Sequence, residues 1–183
     1  MAQKTKKLNL RIRDICFISV FTAVIAVSAQ VSIPLPGGIT VTMQTFAVPL
    51  AGIILGAKKG TLSVVIYILL GMMGVPVFSL FRGGFGVIFG ATGGFILSFP
   101  LVALFAGIAS DYKTILVPVG LILGTIVNYI GGLLMFCALT SSTFGEAFVM
   151  CVLPFILPDI LKIILAGGIG VGARKILTRS KIL

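Results

Sequence analysis

An aspartate and a lysine stand three residues apart in an otherwise apolar stretch, EAFVMCVLPFILPDILKIILAGGIGVGA, at Asp159 and Lys162. On a helix that spacing is about 60° of rotation, so both side chains share a face. An ionic side chain at the centre of a membrane helix costs on the order of 2.5 to 3.5 kcal/mol, so the pair is expected to face protein or a polar cavity. A helix running from Ala147 to Asp159 rises about 18 Å, which puts the pair near mid-bilayer, or nearer the outside if Pro154 and Pro158 delay the helix. A carboxylate accepts hydrogen bonds and an ammonium donates them. Together they match a small group carrying both N–H donors and a carbonyl, the pattern of a cyclic urea. The competing reading is an ion pair that serves packing alone.

A second constellation is RGGFGVIFGATGGF, from Arg82 to Phe95. Gly86, Gly90 and Gly94 at four-residue spacing suit close helix packing. Gly83, Gly84 and Gly93, beside Arg82, Phe85 and Thr92, suggest backbone approaching a ligand or a tight re-entrant turn. Thr40, Thr42 and Gln44 can present hydroxyl and amide groups from a Pro/Gly-rich segment, SIPLPGGITVTMQ, and Asn128 and Tyr129 are further polar residues within an apolar run. Phosphate-loop patterns fail, since the glycine spacing is wrong and GGIGVGARK lacks the Gly-Lys-Ser/Thr ending. Histidine is absent, which removes imidazole ligands and the usual general base, so no enzyme activity is expected. Cys16, Cys137 and Cys151 are dispersed in apolar segments and form no metal motif; neither metal nor cofactor is expected.

The elements that must position these residues follow from composition. Of 183 residues, 58% are hydrophobic and 10% charged, with 23 glycines, which is far from a water-soluble domain. At about 20 residues per crossing, six helices leave little for anything but connections, so one transmembrane domain, 1–183, is expected. The helices are placed at about 15–32, 44–57, 61–74, 86–110, 114–139 and 147–173. Val27-Ser28-Ala29 before Gln30 also resembles a signal-peptide cleavage site, but the first run is taken as a crossing. The net charge of +10 comes in tight clusters without interleaved aromatics, which does not suit nucleic acid. Five basic residues lie in the N-terminal tail (Lys4, Lys6, Lys7, Arg11, Arg13). Two more are Lys58 and Lys59, one is Lys113, and four are Arg174, Lys175, Arg179 and Lys181. In the six-helix scheme these twelve are all on one side, Arg82 alone is in an outer loop, and Lys162 is within a span. The positive-inside rule then predicts cytoplasmic termini.

Three segments, SIPLPGGITVTMQTFAVPLAGIILGAKKG, GMMGVPVFSLFRGGFGVIFGATGGF and LPDILK, in this order and spacing, closely resemble the BioY family, the biotin-binding S components of energy-coupling factor transporters. The resemblance implies an all-α bundle of six transmembrane helices with loop 1 as an outer lid, in a bacterial cytoplasmic membrane. It implies capture of biotin from outside and association with a transmembrane coupling protein and two cytoplasmic ATPases. It maps Asp159 and Lys162 onto the ligand pocket, and the Arg82–Phe95 block and the Thr42–Gln44 end of loop 1 onto pocket and lid. Such subunits typically present an Ala-x-x-x-Ala face on helix 1; here the nearest matches are Ser19 with Ala23 and Thr22 with Ala26. The alternatives are an S component for another small vitamin, or a proton-coupled secondary transporter using Asp159, against which Lys162 argues.

Overall fold

The structure, a computed structural model, describes residues 11–34 and 39–180. Lys4, Lys6, Lys7, Pro36, Gly37, Gly38 and Lys181 lie outside the described residues. The chain runs as α1 (Ile12–Gln30), a two-stranded antiparallel hairpin β1 (Ser32–Pro34) and β2 (Thr40–Thr42), α2 (Gln44–Met72), a single turn Ser79–Phe81, and a short α3 (Phe85–Ile88). It continues as α4 (Gly93–Tyr112), a turn Thr114–Leu116, α5 (Val117–Thr140), α6 (Phe144–Cys151) and α7 (Leu153–Arg179). Among the described residues, five segments are long and apolar enough to cross a membrane: Ile12–Gln30, Gln44–Met72, Gly93–Tyr112, Thr114–Thr140 and Leu153–Arg179. Large apolar side chains such as Leu157, Ile164, Ile122 and Val27 are exposed on their outer faces. In a bilayer those faces meet lipid tails, so their exposure carries no penalty.

The 29-residue α2 is not one rod. At Gly56 the backbone leaves the helical region (φ 81°, ψ 172°), and the two halves, 44–55 and 57–72, fold back on each other. Gly60 packs its backbone on Gly52, and Gln44 at one end meets Tyr67 near the other. Sequence reasoning expected this turn at Lys58-Lys59-Gly60. It falls at Gly56 instead, because that conformation is essentially confined to glycine, and because two partners there satisfy the broken ladder. The Ala57 N–H donates to Asp111 Oδ2 (2.9 Å), while the Ile53 carbonyl accepts from Ser110 Oγ (2.9 Å) and Arg174 Nη1 (2.9 Å). Arg174 also donates to Ser110 Oγ (2.7 Å) and pairs with Asp111 (2.6 Å). This clasp joins α2, α4 and α7.

Other boundaries shift for similarly local reasons. The expected helix 86–110 is divided into α3 and α4, with 89–92 non-helical between them, and the expected helix 114–139 begins as a tight turn before α5. The expected helix 147–173 is also two helices, because Pro154 lacks the N–H that would continue the ladder across Val152. Pro154 instead sits in the first turn of α7, where no donor is needed. Helix α6 has a capping box: Thr143 Oγ1 accepts from the Glu146 N–H (3.4 Å) and the Glu146 carboxylate accepts from the Thr143 N–H (2.9 Å). Restarting at Leu153 puts Asp159 only about 9 Å along α7, shallower than one continuous helix would place it.

The main core packs the two halves of α2 on α4, with Val48, Ala51, Val64, Tyr67, Phe99 and Ala103 at its centre. Gly94 on α4 and Gly131 on α5 bring those two backbones together, as the glycine stripe leads one to expect of that position.

Candidate functional site

The first turn of α2, α5 and α7 converge on one carboxylate. Asp159 is 2% exposed; its Oδ1 accepts from Thr45 Oγ1 (2.8 Å) and Lys162 Nζ (3.0 Å), and its Oδ2 accepts from the Tyr129 hydroxyl (2.9 Å). A carboxylate has about four lone-pair sites, so these three bonds leave one, on Oδ2. Lys162 stands behind it. Its ammonium donates to the Thr42 carbonyl (2.8 Å), Thr45 Oγ1 (3.1 Å) and Asp159, which uses all three N–H groups within the protein.

Beside Asp159 lies a small cavity of about 50 Å³. Its polar wall is Thr40, Thr42, Gln44, Thr45, Ser79, Thr92, Asn128, Tyr129 and Asp159; its apolar wall is Ile39, Phe95, Ile96, Phe99 and Phe155. The Phe95 and Phe155 rings are stacked, with centroids 6.4 Å apart. Asp159 is the one charged residue among these lining side chains. Asn128 is 3% exposed and its Oδ1 has no hydrogen-bond partner among the described residues. An orphaned buried amide oxygen costs free energy, and one on a cavity wall is available to accept from a ligand.

Hydrogen bonds hold the strand–loop roof in place. Thr40 Oγ1 and Ser79 Oγ are 3.1 Å apart, which links β2 to the turn after α2. Gln30, at the end of α1, donates to the carbonyls of Val77 (3.3 Å) and Phe78 (3.1 Å) and accepts from the Phe81 N–H (3.0 Å). Gln44 Nε2 donates to the Tyr67 hydroxyl (2.6 Å), which donates to the Val77 carbonyl (3.2 Å). Gln30, Gln44 and Tyr67 are therefore spent on positioning the segment over α2, while the Thr40–Ser79 pair, joined by one bond, keeps a hydroxyl proton for the cavity.

Of the residues singled out in the sequence, Thr40, Thr42, Gln44, Thr92, Asn128, Tyr129 and Asp159 line the cavity together. Lys162 does not, because its donors point into Thr42, Thr45 and Asp159. Arg82 is exposed on the loop, its Nε donating to the Ser79 carbonyl (3.3 Å), and Phe85 is 59% exposed. Neither Gly84 nor Gly93 lines the cavity, so ligand space does not explain them. Gly84 has φ 92°, and a Cβ at Gly93 would run into the Ile88 carbonyl, so both serve the turn around α3. On α1, Thr22 is buried and donates to the carbonyls of Ile18 (2.9 Å) and Ser63 (3.0 Å), and Ala26 packs on the main core; Ser19 and Ala23 face outward.

The match to known proteins is extensive. The BioY family model covers residues 1–179. The chain belongs to the BioY family. A probable biotin transporter BioY of Pyrococcus horikoshii is 38% identical over 84% of this chain and 91% of its own length. Biotin transporter BioY2 of Lactococcus lactis is 31% identical over 94% and 96%. In fold the chain is similar to the crystal structure of the S-component for biotin from an ECF-type ABC transporter, with TM-score 0.82 and 22% identity over 96% of this chain and 95% of that one. Membership in this family and the apolar helices make the chain a multi-pass membrane protein, and its curated relatives are transporters rather than enzymes.

Thr45, Ser79, Phe99 and Phe155 carry no role in the sequence reading, and Phe95 enters it only as the end of the Arg82–Phe95 block. Phe95 and Phe99 are one helical turn apart, and Phe155 precedes Asp159 by four residues, so a search for aromatics sharing a face with Asp159 would have found Phe155. For Ser79 no signal exists, because a turn of three residues fixes its direction.

Proposed function

We propose that this BioY-family chain is a substrate-binding subunit that captures biotin from the outside for ATP-driven uptake by an energy-coupling factor transporter. The observation that carries the reading is Asp159, a buried carboxylate oriented by three donors with one acceptor site left, on the wall of a cavity faced by stacked phenyl rings. Biotin's planar ureido group offers two N–H donors and a carbonyl, on a ring fused to an apolar tetrahydrothiophene. Asp159 Oδ2 accepts one N–H, the Asn128 amide oxygen accepts from the ring's edge, and the stacked Phe95 and Phe155 form an apolar wall beside it. The Thr40–Ser79 hydroxyl pair serves the carbonyl, and Arg82, bonded to the Ser79 carbonyl, receives the carboxylate tail at the rim. Lys162 orients Asp159 and ties it to the hairpin. Because the cavity is smaller than a bicyclic ligand, the hairpin and the 79–84 turn act as a lid that moves for entry. The same binding geometry argues against a proton-coupled carrier, since all three N–H groups of Lys162 are committed beside Asp159.

Asn128→Leu separates ligand binding from packing. The change preserves size and removes a buried amide oxygen that has no partner among the described residues, so stability holds or rises. Biotin affinity falls roughly fivefold to tenfold, the worth of one neutral hydrogen bond of about 1 to 1.5 kcal/mol. Titration calorimetry of the purified variant checks both; unchanged affinity takes Asn128 out of the site.

The hairpin of α2 supports six crossings, with both termini cytoplasmic and the cavity facing out, in a bacterial cytoplasmic membrane. The outward Ser19–Ala23 stripe of α1 suits close packing on a transmembrane coupling protein, which joins two cytoplasmic ATPases. In a cysteine-free background, a cysteine placed at Phe81 reacts with an impermeant maleimide from outside and one at Tyr112 only after the membrane is opened. Both positions are 73% exposed, so access is not limiting; the reverse pattern would invert the topology.

A further inference from the structure

At the end of the bundle opposite the cavity, α5 and α7 diverge. A groove of about 450 Å³ opens between them on the lipid-facing side, walled by Leu121, Ile122, Ile164 and Gly168. At its far end Thr114 and Val171 also border a second hollow, about 760 Å³, which carries Arg174, Lys175 and Arg179 with the hydroxyl residues Ser110, Thr114 and Thr178. The two are one continuous trough, apolar along the helices and basic at the helix end. No acid is among its described lining residues, and Arg174 is paired with Asp111 beside it, so Lys175 and Arg179 leave the basic end with net positive charge.

From this juxtaposition we infer that the trough is a binding site for an anionic phospholipid, an acyl chain lying between α5 and α7 and the phosphate held by Lys175 and Arg179. The argument is complementarity along one line. A water-soluble anion would have no use for the apolar half, which opens toward lipid tails, and a zwitterionic lipid would leave the basic half uncompensated. Basic pockets between helices at the interfacial level suit acidic headgroups, and the hydroxyls of Thr114 and Thr178 supply neutral donors beside the cations. Gly168 keeps the groove open: nothing lies within 4 Å of where its Cβ would stand. None of these residues belongs to the ligand cavity.

Native mass spectrometry of the full-length protein, exchanged into detergent with equal phosphatidylglycerol and phosphatidylcholine, tests the site. The protein retains phosphatidylglycerol at least about fivefold more than phosphatidylcholine, the effect of roughly one interfacial charge. The double variant Lys175→Gln, Arg179→Gln loses that preference, and Gly168→Phe lowers retention by filling the groove, whereas Lys58→Gln, an exposed lysine at the α2 turn, leaves it unchanged. Equal loss with Lys58→Gln would reduce the effect to general surface charge, and displacement by inorganic phosphate would mark a free-anion site; either overturns the inference. Equal retention of both lipids, with both trough variants behaving as the parent, overturns it too and leaves the face to a protein partner.

Discussion

The double variant Asp159→Asn, Lys162→Met is expected to fold and to bind biotin at least tenfold more weakly than the parent. Removing both charges of a buried pair together is often nearly neutral, whereas stranding one costs about 3 to 5 kcal/mol. Asparagine at 159 keeps an oxygen to accept from Thr45, and methionine fills most of the lysine's volume. Binding is different, because a ligand N–H on Asp159 Oδ2 is a charge-assisted bond worth about 1.5 to 3 kcal/mol, or roughly one to two decades of affinity. A contact from Lys162 to the ligand would double that, but its three donors are already taken by Thr42, Thr45 and Asp159. The single variant Asp159→Ala leaves the ammonium buried without its counter-ion and is expected to fail mainly in stability. Calorimetric titration and thermal unfolding in detergent separate the two outcomes; a folded double variant with parental affinity would leave the pair to packing.

Gly56→Ala is expected to lower stability by about 2.5 to 6 kcal/mol, more than the same change at Gly84. Both glycines occupy a backbone region that costs an L residue about 1 to 3 kcal/mol (Gly56 φ 81°, ψ 172°; Gly84 φ 92°, ψ 167°). Their surroundings differ. A Cβ at Gly84 meets nothing within 4 Å, while one at Gly56 stands 2.6 Å from Asp111 Oδ1. Asp111 can swing away only by giving up its bond to the Ala57 N–H and its pairing with Arg174, which adds roughly 1.5 to 3 kcal/mol for bonds to a charged group. Equal destabilisation at the two positions, read by denaturant unfolding, would mean that the clasp contributes little.

The long apolar helices were legible because hydrophobic runs and basic clusters carry the membrane pattern in the sequence itself. Asp159 stood out for the same reason, as an ionic residue that lipid would reject. The α2 turn was misplaced because Lys58-Lys59-Gly60 looks polar in one dimension, while Gly56 is marked only by Asp111, Ser110 and Arg174, which come from distant helices. Pro154 alone signals a delayed helix, and the division into α6 and α7 is marked in the sequence only together with the Thr143–Glu146 capping box. In sequence Gly84 and Gly93 look like room for a ligand, whereas a positive φ at Gly84 and the Ile88 carbonyl against Gly93 account for them. The cavity wall was the least legible part, since Ser79 and Phe95 acquire a direction only from tertiary packing.

Titration of the detergent-purified protein with biotin, riboflavin, thiamine and folate tests the central claim most directly. The account predicts saturable one-to-one binding of biotin, lost or weakened at least tenfold in the folded Asp159→Asn, Lys162→Met variant, and no comparable binding of the other three. Failure of the folded parent protein to bind biotin, or tighter binding of another of these vitamins, would contradict it.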